Sequence, residues 1–314
     1  VETAARQLLR ALRGSRSQVA LSRRLGYRGN VAAKWEGGQR FPTFGEVLRA
    51  CGRVGVDVPG ALAGFHGPSA PAWEPARPEE IAPWLRALQG QTSQALLAER
   101  TGLSRQQVGR LLSGRTQGRL PMVMALVDAM TGRLPELVAA LVPIEEVPAL
   151  AQQAALRSAL ARLAFAHPWS PAAQAWLGTR REVPASTAAF QLARDMKIPV
   201  PLAEGLVAAL VEAGVAEITR GRLRPASRAT VEISASADDV KRLRAHWAQV
   251  SAERMADQPA EDLFSFNVFA ASREDVERIK QAQRRFYREV RAIVSESTAE
   301  VVSLLVVHTA VLVP

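Results

Sequence analysis

Residues 9–14 read Leu-Arg-Ala-Leu-Arg-Gly, and residues 85–90 read Leu-Arg-Ala-Leu-Gln-Gly, 76 positions later. The same offset carries Ser17-Gln18 onto Ser93-Gln94, Arg24 onto Arg100, Gly26 onto Gly102 and Gly38 onto Gly114. Self-similarity at one fixed spacing means one supersecondary unit used twice. Residues 1–66 and 78–142 are therefore expected to fold alike, joined by a Pro-rich linker over 67–77.

Within the first copy, Thr3 to Arg13 has the spacing of an amphipathic helix with Leu8, Leu9 and Leu12 inward. Ser17 to Leu25 is a second short helix, Gly26 makes a tight turn, and a third helix starts near Arg28. That layout is a helix-turn-helix, whose second helix enters the DNA major groove. Ala32 and Trp35, at i, i+3 spacing, point into the domain, whereas Arg28, Gly29, Asn30, Ala33 and Lys34 point out. Arg and Lys donate to guanine or phosphate, and Asn pairs bidentately with adenine. Phe44 to Arg53 and Pro59 to Phe65 complete five helices.

The Gln18 position, the Gly26 turn and Trp35-Glu36-x-Gly38-x-Arg40-x-Pro42 resemble the Cro/phage-repressor type of DNA-binding domain, also called XRE-like. The resemblance implies base reading by Arg28, Asn30 and Lys34 and phosphate contacts from Gln18 and Arg40. Arg28 departs from it, since the family usually has a Ser or Thr cap there, and Gly29 weakens a helix start. A unit of this layout used only for packing is the alternative. In the second copy, Ser104 is a good N-cap, Val108 and Leu111 point inward, and Arg105, Gln106, Gln107 and Arg110 point out as DNA-facing groups. Leu111-Leu112 replaces Trp35-Glu36, so a packing or dimerisation role stays open for this copy.

Charge separates the first copy from the rest. Residues 1–66 carry 11 basic and 4 acidic groups, residues 67–142 carry 8 and 6, and residues 143–314 carry 21 and 20. The excess lies with the motif, as a polyanion-binding module on a near-neutral body requires.

The remainder reads as a winged helix over 143–228 and a small α/β domain over 229–314. Leu156, Leu160 and Leu163 form one helical stripe, and Ser186–Met196 and Pro201–Ala213 make a helix pair. Val215 to Arg224 reads as a hairpin turning at Arg220-Gly221. Arg220, Arg222 and Arg224 could touch phosphate, but Asp195, Glu204 and Glu212 make the helix pair a poor groove reader. Farther on, the expectation is strands at Thr230–Ser234, Phe264–Ala270 and Val301–Val313, separated by helices with capping boxes at Ser236/Asp239 and Ser272/Asp275. The first of these helices turns Val240, Leu243, Trp247 and Val250 to one face, and the second turns Val276, Ile279, Phe286, Val290 and Ile293 inward. This tail resembles poorly characterised bacterial regulators that pair helix-turn-helix units with a C-terminal domain of unknown role.

No catalytic constellation is present. His66, His167, His246 and His308 are scattered, and no zinc, nucleophile-elbow or phosphate-loop motif occurs. The single Cys51 suits a reducing cytoplasm, and the most apolar run is too short for a membrane span. The expectation is a cytoplasmic, nucleoid-associated bacterial transcription regulator and not an enzyme. It would bind double-stranded DNA as a homodimeric repressor, without cofactor or membrane, and an effector of unknown chemistry is left open. The alternative is an interaction module whose helical units bind a polymerase subunit or a phage factor.

Overall fold

The structure is a computed structural model that describes residues 1–66, 81–180, 182–226, 237–257, 262–265 and 267–311. The 67–77 linker, the Thr230–Ser234 strand, Ser236 and Phe266 lie outside the described residues. The chain is mainly helical and divides into two compact units, Val1–Ala154 with Arg288–Ala292, and Ala155–Tyr287 with Ile293–Pro314.

In the first unit, α1 (Glu2–Arg13), α2 (Gln18–Arg24), α3 (Val31–Glu36), α4 (Phe44–Val54) and α5 (Val58–His66) form the first copy. The second copy repeats them as α6 (Ile81–Gln89), α7 (Gln94–Thr101), α8 (Arg105–Leu112), α9 (Leu120–Thr131) and α10 (Leu134–Ala139). Local detail repeats as well. Ser17 and Ser93 each cap the second helix through the side chain. Arg24 Nε donates to Arg53 O at 2.8 Å, and its counterpart Arg100 Nη1 donates to Ala129 O at 3.3 Å.

The copies do not stand apart. Phe44 N donates to Gly118 O at 2.9 Å, and Leu120 N donates to Pro42 O at 2.9 Å, so Thr43 and Arg119 form an antiparallel bridge. Thr43 and Arg119 are themselves 76 positions apart. A residue paired with its own counterpart lies on a local two-fold axis, because head-to-tail stacking would pair it with something else. The neighbouring contacts agree, since α4 packs on its counterpart α9 and α5 on its counterpart α10. One apolar core runs through both copies, with Phe44 stacked on Trp84 at 5.6 Å. Burying both faces in one core solves the problem of two domains of about sixty residues, each too small to bury much surface alone.

Residues 143–150, read as the start of the next domain, belong to this core. They form two short 3₁₀ turns against α1, where Ala149 N donates to Gln7 Oε1 at 2.8 Å and Val147 is buried.

The second unit begins in α11 (Ala151–Ala166) and continues through α12 (Ser170–Arg180), β1 (Val183–Pro184), α13 (Ala188–Met196) and α14 (Val200–Glu212). The hairpin β2 (Ala216–Thr219) and β3 (Arg222–Pro225) follows, and β1 adds to it in the order β1-β3-β2. The hairpin turns where expected. Arg220 and Gly221 have φ of 52° and 72°, the left-handed pair of a two-residue loop. β1 escapes a sequence reading because two residues carry no alternation. Asp195 ties α12 to α13. It accepts from the Trp176 indole at 2.9 Å, from Arg194 and from Arg180. Burial works against its charge, but those donors hold its carboxyl below the ordinary value.

The expected α/β domain is corrected by the structure. Helices α15 (Ala237–Asp257) and α16 (Arg273–Glu296) are present, and Ser272 caps α16 as read. Phe264–Ala270 and Val301–Val313 carry no strand among their described residues. Instead, the last segment is tied to α16 at Gln283, whose Nε2 donates to Val307 O at 2.9 Å and whose Oε1 accepts from Thr309 Oγ1 at 2.7 Å. Among the described residues no neighbouring strand supplies a ladder. Phe286 and Ile293, expected inward, are 44% and 64% exposed. A strand reading from apolar content presumes partners on both edges, and the described residues provide none.

Candidate nucleic-acid interface

The strongest candidate surface is the outward side of α3 with its counterpart on α8. Gly26 has φ 87° and Gly102 φ 70°, a backbone that L side chains avoid, and each lets the chain reverse between its two helices. Across the first turn, the buried Ser22 hydroxyl donates to Gln18 O at 2.8 Å and accepts from Ala32 N at 3.0 Å. That link fixes where α3 sits on α2. Ala32 and Trp35 are buried as read, and Tyr27 meets Trp35 edge-on at 5.7 Å. Burial and the neighbouring Glu46 charge push the Tyr27 hydroxyl above its ordinary pKa.

The helix begins three residues later than the sequence reading placed it. Asn30 is its N-cap, with Oδ1 accepting from Ala33 N at 3.2 Å. Arg28 and Gly29 thus belong to the turn. The absence of a Ser or Thr at 28 explains the shift, because Asn30 is the first residue able to cap. Asn30 is exposed and keeps its amide N–H groups, but its carbonyl oxygen is engaged. In the second copy Ser104 does cap, in a reciprocal box with Gln107, and α8 starts at Arg105.

Glu36 is buried behind α3. Arg13 Nε donates to its Oε1 at 2.6 Å and Gln18 Nε2 to its Oε2 at 3.0 Å. Gln18, read as a phosphate contact, therefore has its amide committed to an internal carboxylate. The second copy replaces Glu36 with the buried Leu112 and Arg13 with Gln89. This cluster escaped the sequence reading, although Glu36 stands in the quoted motif and Arg13 ends α1 on the same side.

The remaining residues expected to face DNA lie at the surface. Arg28, Lys34 and Arg40 are exposed in the first copy, and Arg105, Gln106, Gln107 and Arg110 in the second. Gln107 Oε1 is taken by the capping box. Arg28, Lys34, Arg40, Arg105 and Arg110 form no ion pair with any described residue. Exposed cations without an ion-pair partner among the described residues favour a positive field on this side of the first copy. Two of the hairpin arginines differ, because Arg222 and Arg224 form ion pairs with Glu182 at 2.7 Å and 2.5 Å. Nothing in the sequence pattern marked Glu182 as their partner. On α14, Glu204 and Glu212 are exposed.

Among the described residues no group of three His, Cys, Asp or Glu gathers at metal-binding distance. His246 lies edge-on to Trp169 and Trp247, and burial lowers its pKa. No helix among the described residues is long and apolar enough to cross a membrane. Compared with known proteins, no curated protein and no solved structure matches the chain. A family model described as a domain of unknown function (DUF4423) matches residues 183–306, from the first strand of the three-stranded sheet to beyond α16.

Proposed function

We propose that the chain is a sequence-specific transcription regulator, a repressor, whose helix-turn-helix copies bind double-stranded DNA in the bacterial cytoplasm. The observation that carries this reading is the set of exposed cations on and beside α3 and α8 that form no ion pair with any described residue, those of α3 lying in the segment with the largest basic excess. Lys34 and Arg110 serve base edges, with Arg28 and Arg105 beside them, and Arg40 serves phosphate. The 143–228 region is winged-helix-like in this reading, with a structural role for its paired hairpin arginines.

A gel-shift titration at several salt concentrations tests it. Lys34→Ala should cost roughly 1–3 kcal/mol of specific binding and relax preference at one base position. Arg40→Ala should weaken all sequences alike and flatten the salt slope by about one unit. Wild-type affinity in both variants would refute the assignment.

The homodimer is proposed through the second unit. Phe286, Tyr287, Ile293 and Val294 on α16 are exposed, as are Val301 and Leu305 in the last segment. An apolar surface of this kind is the ordinary mark of a protein contact. Sedimentation of the full chain at micromolar concentration should give a dimer, and Phe286→Glu with Ile293→Glu should give a monomer. A monomeric wild-type chain would end the dimer proposal.

A further inference from the structure

We infer that one chain by itself presents a two-fold reader, in which α3 and α8 address two unlike half-sites one helical turn apart. This rests on the DNA-binding reading above. Recognition of a pseudo-palindrome normally needs two subunits related by a two-fold axis. Here the axis lies inside the chain.

The bridge at Thr43 and Arg119 locates that axis, and its two hydrogen bonds exchange equivalent atoms, position 44 to position 42 of the other copy in both directions. Seven residues separate Glu36, the end of α3, from Thr43, and seven separate Leu112, the end of α8, from Arg119. At no more than about 3.6 Å per residue, each helix end lies within about 25 Å of the axis. Even from their centres, the two helices are then less than about 60 Å apart. Half-sites one turn apart, about 34–36 Å, fit this limit, and half-sites two turns apart do not.

The two helices are related but chemically distinct. At the 76-residue offset, Lys34 corresponds to Arg110, Asn30 to Gln106, and Gly29 to Arg105. Lys and Arg both choose guanine, and Asn and Gln both choose adenine. The Asn30 carbonyl oxygen, however, is held by the α3 cap, whereas Gln106 is exposed and its amide makes no hydrogen bond with any described residue. Arg105 adds a cation where the first copy has glycine. An operator read this way has two related but non-identical halves, and the α8 half is the more sharply defined.

The test uses the full chain and duplexes selected from a pool with a randomised 30-base-pair segment, followed by hydroxyl-radical footprinting. The expected result is two unlike half-sites about one turn apart. Lys34→Ala should lower preference about ten-fold at one half only, and Arg110→Ala about ten-fold at the other only. Because the readout is which half responds, it is independent of how many chains associate. Identical half-sites that both weaken with Lys34→Ala, while Arg110→Ala is silent, would overturn the single-chain reader and leave DNA binding intact. Half-sites two turns apart would overturn it equally. Failure of every duplex to be selected would overturn DNA binding and the reader together.

Discussion

Replacing Glu36 by Leu should destabilise the first unit by about 2–3 kcal/mol, and adding Arg13→Gln should recover most of that loss. Glu36 has a side chain 4% exposed, and its partner Arg13 is 22% exposed. Removing one partner of a buried ion pair costs about 3–5 kcal/mol, because the other charge is left without compensation. Two features place this case at or below the low end. Arg13 keeps some water, and its Nη1 still donates to Arg16 O at 2.6 Å. The second copy shows the repair, with Leu112 and Gln89 at the two counterpart positions. Replacing a buried pair by apolar residues of similar size is often neutral, so Arg13→Gln with Glu36→Leu should lie within about 1 kcal/mol of the wild type. Native-state hydrogen exchange on peptides from α1 and α3 reads this unit without interference from the second. Exchange should accelerate about 30- to 150-fold in the single variant and return to within about five-fold in the double. A single variant that exchanges like the wild type, or a double variant faster than the single, would refute the reasoning.

Gly118 lies at the junction of the copies, and a Cβ there would meet Val123 Cγ2 at 2.5 Å and Leu111 Cδ2 at 3.0 Å. Gly118→Ala should therefore cost about 1–3 kcal/mol in thermal unfolding, and less in a Val123→Ala background. Burial of Glu46 works against its charge, but hydrogen bonds from the Thr43 backbone and hydroxyl, with Tyr27, hold its carboxyl below the ordinary value. A lowered carboxylate adds stability that is present above its unfolded pKa and lost as pH falls through its folded one. Glu46→Gln should therefore weaken the wild type's acid-side loss, in melts from pH 6 downward past about 4.3. Burial pushes the Cys51 thiol up to about 12, so a thiol reagent at pH 8 should leave the folded chain unlabelled and react after unfolding. Rapid labelling of the native chain would show that Cys51 is not in the core.

The sequence alone determined what is local. Helix periodicity, Gly26 and Gly102 at the turns, Ser104 and Ser272 as caps, and the Arg220-Gly221 reversal each depend on residues a few positions apart. The inward set Ala32, Trp35, Val108 and Leu111 followed from the same spacing. The start of α3 was missed because an Asn cap and a Gly-containing turn compete over the same three residues. The repeat was legible, but its symmetry was not.

Only the tertiary structure decided how the copies meet. Thr43 and Arg119 are unlike in chemistry, and their pairing is a backbone contact, to which Arg119 Nη1 adds a hydrogen bond to Phe41 O across the copies. Likewise, the fate of Gln18 depended on Glu36 lying behind it, and that of Arg222 and Arg224 on Glu182. The tail failed for the converse reason. Val301 to Val311 is apolar enough for a central strand, but a strand is defined by its neighbours, and the described chain gives this segment a helix instead. Spacing and composition fix a residue's local conformation and preferred surroundings, while long-range pairing depends on which distant segments arrive beside it.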